Sequence, residues 1–205
     1  MLDSLATWRD HTHKSLRQSM KALDALLNRS SSPKLSDPLP NEKILENIYR
    51  SALRAADHGV LRPWRFLLIK GAARDRLGEL FLAAAICQDP QLPPEKQASL
   101  KQKPLRAPLI LVIISNPVED PKVPIFEQEL SAAAATQNML LAAYAQGVGA
   151  MWRTGSMAYD KTVMVGLGLT AAEKIIGFLY LGTTSGATKN LNDPPVSQFF
   201  KEWNA

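Results

Sequence analysis

Strand-like and helix-like segments alternate along the chain without the regular beat of successive βαβ units, which predicts a three-layer α/β (α+β) fold rather than a doubly wound parallel sheet. Two further observations agree. The 205 residues, 46% of them hydrophobic, suit one compact domain with a sizeable core. Buried-type strands at Ala107 to Ser115 and Ile175 to Leu181 bracket a segment from about Phe126 to Gln146 that is apolar nearly all round, the pattern of a central, closely packed helix.

Each element follows from local chemistry. Leu16, Met20, Leu23 and Leu27 recur at helical spacing, so about Lys14 to Asn28 reads as an amphipathic helix behind a solvated arm of residues 1–18. Ser30, Ser31, Ser32 and Pro33 end it. Asn41 is positioned to cap a second helix whose Ile44, Leu45, Ile48, Ala52 and Leu53 share one face, ending near Asp57, His58 and Gly59. Arg65 to Ile69 is a strand closed by Gly71, and Ala72 to Cys87 a helix in which Cys87 reads as a core thiol. The Pro-rich, polar excursion from Asp89 to about Lys103 is the lid candidate. After the Ala107 to Ser115 strand and the long helix, Gly147 and Gly149 lead into a strand at Val148 to Trp152, then a short helix near Asp160 to Gly166 and the last strand. The tail from Ser185 to Ala205 turns aromatic at Phe199, Phe200 and Trp203, which suits packing on a partner subunit.

Composition excludes several classes. A net charge of +5 favours small anions and falls short of a polybasic nucleic-acid surface. The single Cys87 rules out an internal disulfide framework and a thiolate zinc cluster, and no metal site is expected. No apolar run approaches the ~20 residues that span a bilayer, and no signal-peptide pattern opens the chain, so the expected location is cytoplasmic.

The familiar catalytic signatures (GxGxxG, GxxxxGK[ST], HExxH, GxSxG) are absent. Three clusters remain. Arg29 beside Ser30, Ser31 and Ser32 gathers groups that suit a phosphate, although a solvated helix end explains the same residues. Arg50, Arg54 and His58 recur at i, i+4 and i+8, a cationic stripe that suits an anion or plain solvation equally. Trp152, Arg153 and Thr154 follow a glycine-rich strand, an arrangement that brackets a flat aromatic cofactor or merely caps the core.

Taken together, ALDALLNRSSS (Ala22 to Ser32), LRAADH (Leu53 to His58) with RPW (Arg62 to Trp64), RAPL (Arg106 to Leu109), KVPIFEQELSAA (Lys122 to Ala133), AAYAQGVGAMWRTG (Ala142 to Gly155) and KIIGFLYLGT (Lys174 to Thr183) resemble the nitroreductase family, most closely its small single-domain, YdjA-type branch. The resemblance implies a central mixed or antiparallel sheet flanked by helices, in a domain-interlocked homodimer with an FMN at each of two interface sites, the FMN-binding domain running over residues 19–205. It implies an oxidoreductase that uses NAD(P)H, without a catalytic acid or base of its own, to reduce nitroaromatic, quinone or similar small-molecule acceptors by ping-pong turnover. A flavin reductase, or an FMN carrier or sensor with little turnover, is the alternative. By the family's motif Arg29, Ser30 and Ser31 would hold the flavin phosphate and ribityl region, Arg54 and His58 would reach the flavin from the other subunit, and Trp152, Arg153 and Thr154 would line its ring. Ala142 to Gly147 matches the stretch associated with the nicotinamide nucleotide. The chain departs at three places: Ser30 stands for the motif's second arginine, Lys34 for the downstream arginine and Ala56 for a proline.

Overall fold

The computed structural model describes residues 20–186 and 191–204, so the expected arm and the first part of the first helix lie outside the described residues. From Met20 onward the chain forms α1 (Ala22–Asn28), β1 (Leu35–Ser36), α2 (Glu42–Ala52), β2 (Trp64–Lys70), α3 (Ala73–Gln88), α4 (Pro94–Gln102), β3 (Leu109–Ser115), α5 (Ile125–Ala145), β4 (Gly149–Arg153), α6 (Lys161–Gly166) and β5 (Lys174–Thr184).

β5 is the hub of the sheet. It pairs β3 along one edge and β4 along the other, and its last two residues also meet β1. β2 pairs β3 on the far side, and every pairing is antiparallel. All seven residues of β3 are buried, as expected of a strand covered on both faces. Its side chains alternate between two cores. Ile110, Val112 and Ile114 face α3 and α6 with Phe81, Phe178 and Tyr180, while Leu109, Leu111 and Ile113 face α2 and α5 with Ile48, Met139 and Leu140. The three-layer expectation holds, with an antiparallel central sheet.

The Asn41 side chain accepts the Ile44 amide at 3.0 Å, the predicted cap of α2. Four differences matter. α2 stops at Ala52, several residues early, because Leu53 leaves the helical region and the next amides turn back onto Arg50 to Ala52 carbonyls. Arg50 alone of the cationic stripe therefore lies in α2, and the three residues do not share one helix face. The lid candidate contains α4, which lies on α3 through buried Leu100 and by backbone contact at Gly78, where an added Cβ would sit 2.5 Å from the Lys101 carbonyl oxygen. Cys87 is exposed, since the buried face of α3 is set by Leu77, Phe81, Ala84 and Ala85 and residue 87 falls outside it. Leu23 and Leu27 of α1 are exposed as well, so the apolar stripe read there has no cover among the described residues.

Candidate functional site

The loop after α1 is tied to the sheet. Arg29 caps α1 with its amide on the Ala25 carbonyl, the Ser32 amide donates to Ala150 O of β4 at 2.9 Å, and Ser185 N donates to Lys34 O. These bonds hold Ser30, Ser31 and Ser32 at the rim of a cavity of about 480 Å³, whose opposite wall is Leu140 and Tyr144 of α5 and the Gly147 to Ala150 turn into β4. Glycine is needed in that turn. Gly147 has φ +73°, and an added Cβ at Gly149 would meet the Leu35 and Thr184 side chains. The Arg29 Nη1 is buried with no hydrogen-bond partner among the described residues. A buried donor left unanswered costs about 1–3 kcal/mol, more when charged, which marks the place an anion would occupy.

β4 carries the second cluster. Its side chains alternate, so Trp152 turns toward the α2/α5 layer, packed near Ile176 and donating from Nε1 to Ile176 O at 3.4 Å. Arg153 turns toward the α3 layer, its guanidinium carbon 5.6 Å from the centroid of the Tyr180 ring. Arg153 Nε is also buried without a partner among the described residues. Met151, Trp152, Arg153 and Thr154 line a cavity of about 390 Å³ together with Phe81, Phe178, Tyr180, Lys103 and Arg106. Burial pushes the Tyr180 hydroxyl pKa above its ordinary value, while Arg153 and Arg106 pull it back.

The structure thus joins Ser30 and Ser31 in one cavity, with Arg29 beside them, and Trp152, Arg153 and Thr154 in another. The two open at opposite ends of β4, which among the described residues pairs only with β5. Arg54 and His58 line neither. Both are exposed beyond the end of α2, and His58 Nδ1 lies 2.8 Å from Glu127 Oε2 at the start of α5. Arg50 is answered by Glu46 at 2.6 Å, which leaves Arg54 as the member of the stripe without an ion-pair partner among the described residues. The residues after His58, leading into β2, carry unusual backbone: Gly59, Val60 and Arg62 have φ of +75°, +55° and +51°, rarely adopted by a valine or an arginine.

Lys103, Arg106 and Tyr180 line the second cavity and were passed over by the sequence reading. The first two sit in the short turn between α4 and β3, where a polar excursion hides them; Tyr180 is one apolar residue among many in β5. Among the described residues no group of His, Cys, Asp or Glu is arranged to hold a metal, and no helix is long and apolar enough to cross a membrane.

The sequence pattern of the Nitroreductase family matches residues 26–183. The chain belongs to the nitroreductase family. It is 38% identical over 181 residues to the Escherichia coli (strain K12) protein named "Putative NAD(P)H nitroreductase YdjA", covering 88% of this chain and 98% of that one. The Haemophilus influenzae "Putative NAD(P)H nitroreductase" is 35% identical over 167 residues, 80% of this chain and 89% of the relative. A nitroreductase-like family protein from Bacillus cereus superposes with a TM-score of 0.78 at 23% identity, covering 93% of this chain and all of that one. A Bacteroides fragilis nitroreductase solved with bound FMN superposes with a TM-score of 0.66 at 19% identity, covering 89% and 99%. The two structures fix the nitroreductase fold.

Proposed function

We propose that the chain is an FMN-dependent oxidoreductase that draws reducing equivalents from NAD(P)H and passes them to electron-poor acceptors of nitroaromatic or quinone type, as a homodimer with two cofactor sites at the interface. The observation that carries this reading is the unanswered Arg29 guanidinium beside a serine-lined cavity whose wall is the edge strand of the sheet. Arg29, Ser30 and Ser31 supply a charged fork and hydroxyls for a phosphate and a polyol chain, the donor set that FMN requires. Trp152, Arg153 and Thr154 supply a flat apolar wall, a cation and a hydroxyl for its ring. Arg54 and His58, unused by either cavity of their own chain, are assigned to the site of the second copy.

When bound, FMN supplies a ring that accepts a hydride at N5 and gives it up again, so no acid or base of the protein has to carry the chemistry. The chain's residues bind, orient and polarise. Arg153 sets positive charge beside the ring, which favours electron uptake. Glu127 fixes the orientation of the His58 imidazole. Tyr144 and Gly147, within the stretch assigned to the nicotinamide nucleotide, wall the 480 Å³ cavity together with Leu140.

The dimer is supported by apolar surface too extensive for a monomer in water. Leu23, Leu26 and Leu27 of α1, Phe126 and Leu130 of α5, and Phe199, Phe200 and Trp203 of the tail are all exposed. β2 pairs only with β3 among the described residues, leaving an edge to cover. The extent of the domain, from residue 19 onward, and a cytoplasmic location belong to the same proposal.

Steady-state oxidation of NADH and NADPH by the FMN-loaded protein, with menadione or nitrofurazone as acceptor, tests the reading. NAD(P)H and acceptor using one site in turn gives parallel double-reciprocal lines. Intersecting lines contradict the alternation, and no acceptor-dependent oxidation reduces the protein to a flavin binder.

A further inference from the structure

The face of the sheet under α3 and α4 carries more positive charge than the proposed cofactor needs. The 390 Å³ cavity is lined by Lys103, Arg106 and Arg153 and by no aspartate or glutamate. It adjoins a second cavity of about 310 Å³ below α4, shares Lys103, Ser156 and Met157 with it, and there gains Lys96 and one carboxylate, Asp89. None of the four cations has an ion-pair partner among the described residues. Asp89 already accepts the Gln91 amide at 3.1 Å.

Cations gathered in a recess with apolar walls repel one another, and those walls focus their field outward through the opening. Arg50, Arg65, Lys101 and Lys174 have carboxylate partners and many other surface cations have none among the described residues; what sets Lys96, Lys103, Arg106 and Arg153 apart is that they converge on two joined cavities. Asp89 is the one carboxylate among the described residues lining the two cavities, so the recess keeps a net positive field that favours an anion. The walls say what kind. Phe81 and Phe178 stand edge to face with centroids 5.5 Å apart, and with Tyr180 and Met151 they offer the recess to a planar ring.

We propose that these joined cavities receive the electron acceptor, and that the acceptor is a nitroaromatic or quinone carrying a carboxylate or sulfonate, its ring against Phe81, Tyr180 and Met151 and its anionic group at Lys96 and Lys103. The nitro group (to nitroso and water) or the quinone (to hydroquinone) takes two electrons and two protons, supplied as the hydride of NAD(P)H and one proton from solvent. The word acceptor rests on the oxidoreductase reading; the binding of an aromatic anion does not.

The test compares 4-nitrobenzoate with its neutral isostere 4-nitrobenzamide. Calorimetric titration of the FMN-loaded protein at low ionic strength is expected to give a Kd at least tenfold tighter for the carboxylate, an advantage that shrinks in 0.5 M salt. In a K96Q/K103Q variant the two ligands bind alike, while Lys96→Arg alone keeps the preference. Equal affinities in the unsubstituted protein overturn the proposal, as does a preference that survives the double substitution. If the substitutions instead erase a KM difference between NADPH and NADH and leave nitrobenzoate affinity alone, the anion is the co-substrate's phosphate and the proposal falls. Cofactor binding is read separately from the quenching of FMN fluorescence. Failure there sinks the oxidoreductase reading, and the nitrobenzoate preference is then judged on the unloaded protein.

Discussion

Arg29 and Glu173 illustrate what a buried charge demands. Glu173 is answered. Its carboxylate, only 3% exposed, takes Arg65 through Nε and through Nη2 at 2.9 Å and the Thr170 amide at 2.8 Å. The Arg65 guanidinium, ahead of the opposing effect of burial, holds its pKa down to about 2. A carboxyl depressed in the folded state stabilises the fold above the ordinary value of 4.5 and loses that contribution as pH falls toward about 2. Chemical denaturation at pH 6, 4 and 2.5 is expected to show stability declining across that window, with the decline smaller in Glu173→Gln. That variant costs about 2–3 kcal/mol at pH 6 by leaving Arg65 unpaired. Arg29 is the opposite case, a guanidinium nitrogen buried and waiting. Arg29→Ala weakens FMN binding by about 1.5–3 kcal/mol if the charge-assisted bond to phosphate forms, read from fluorescence titration; an unchanged affinity places the phosphate elsewhere.

At the level of elements, sequence legibility tracks how much apolar surface each segment buries. β3 and α5 were readable because continuous apolar runs leave few alternatives, and α2 because Asn41 and the Ile44, Ile48, Ala52 spacing agree. β1 has two residues and exists only because β5 overruns its other partners, a tertiary fact with no local signal. α4 was hidden by its polarity, since it packs through Leu100 and a backbone approach at Gly78 rather than an apolar stripe. Gly78→Ala therefore forces α4 away from α3, at a cost of about 1–3 kcal/mol in unfolding free energy and with faster amide exchange across residues 94–102 than elsewhere. Unchanged exchange there contradicts that packing. Of the residues assigned to the cofactor from sequence, Ser30, Ser31, Trp152, Arg153 and Thr154 line cavities, Arg29 directly precedes the serines with a buried, unpartnered Nη1, and Arg54 and His58 line neither cavity. What the sequence did not reveal was the division of the lining residues between the two ends of β4, which follows from tertiary placement: the serine loop is tied to Ala150 near the start of the strand, while Trp152, Arg153 and Thr154 lie at its end.

For the whole molecule, the exposed leucines of α1, the bare start of α5 and the aromatic tail belong to one problem, because each is an apolar surface that the described residues of its own chain leave uncovered. Light scattering is expected to report twice the 22.5 kDa chain mass. Serine at Phe199, Phe200 and Trp203 together shifts the protein toward single chains and lowers FMN affinity with it, because Arg54 and His58 then lose access to the neighbouring site. A triple variant that stays dimeric assigns the tail another role. In the proposed dimer, cofactor and assembly would stabilise one another by mass action.

The claim under all of this is that the serine-lined cavity and the β4 edge hold FMN. Titrating the purified protein into FMN measures it directly. The account predicts quenched flavin fluorescence that saturates at one FMN per chain and at lower affinity in Arg29→Ala; fluorescence that stays unquenched at every protein concentration contradicts it.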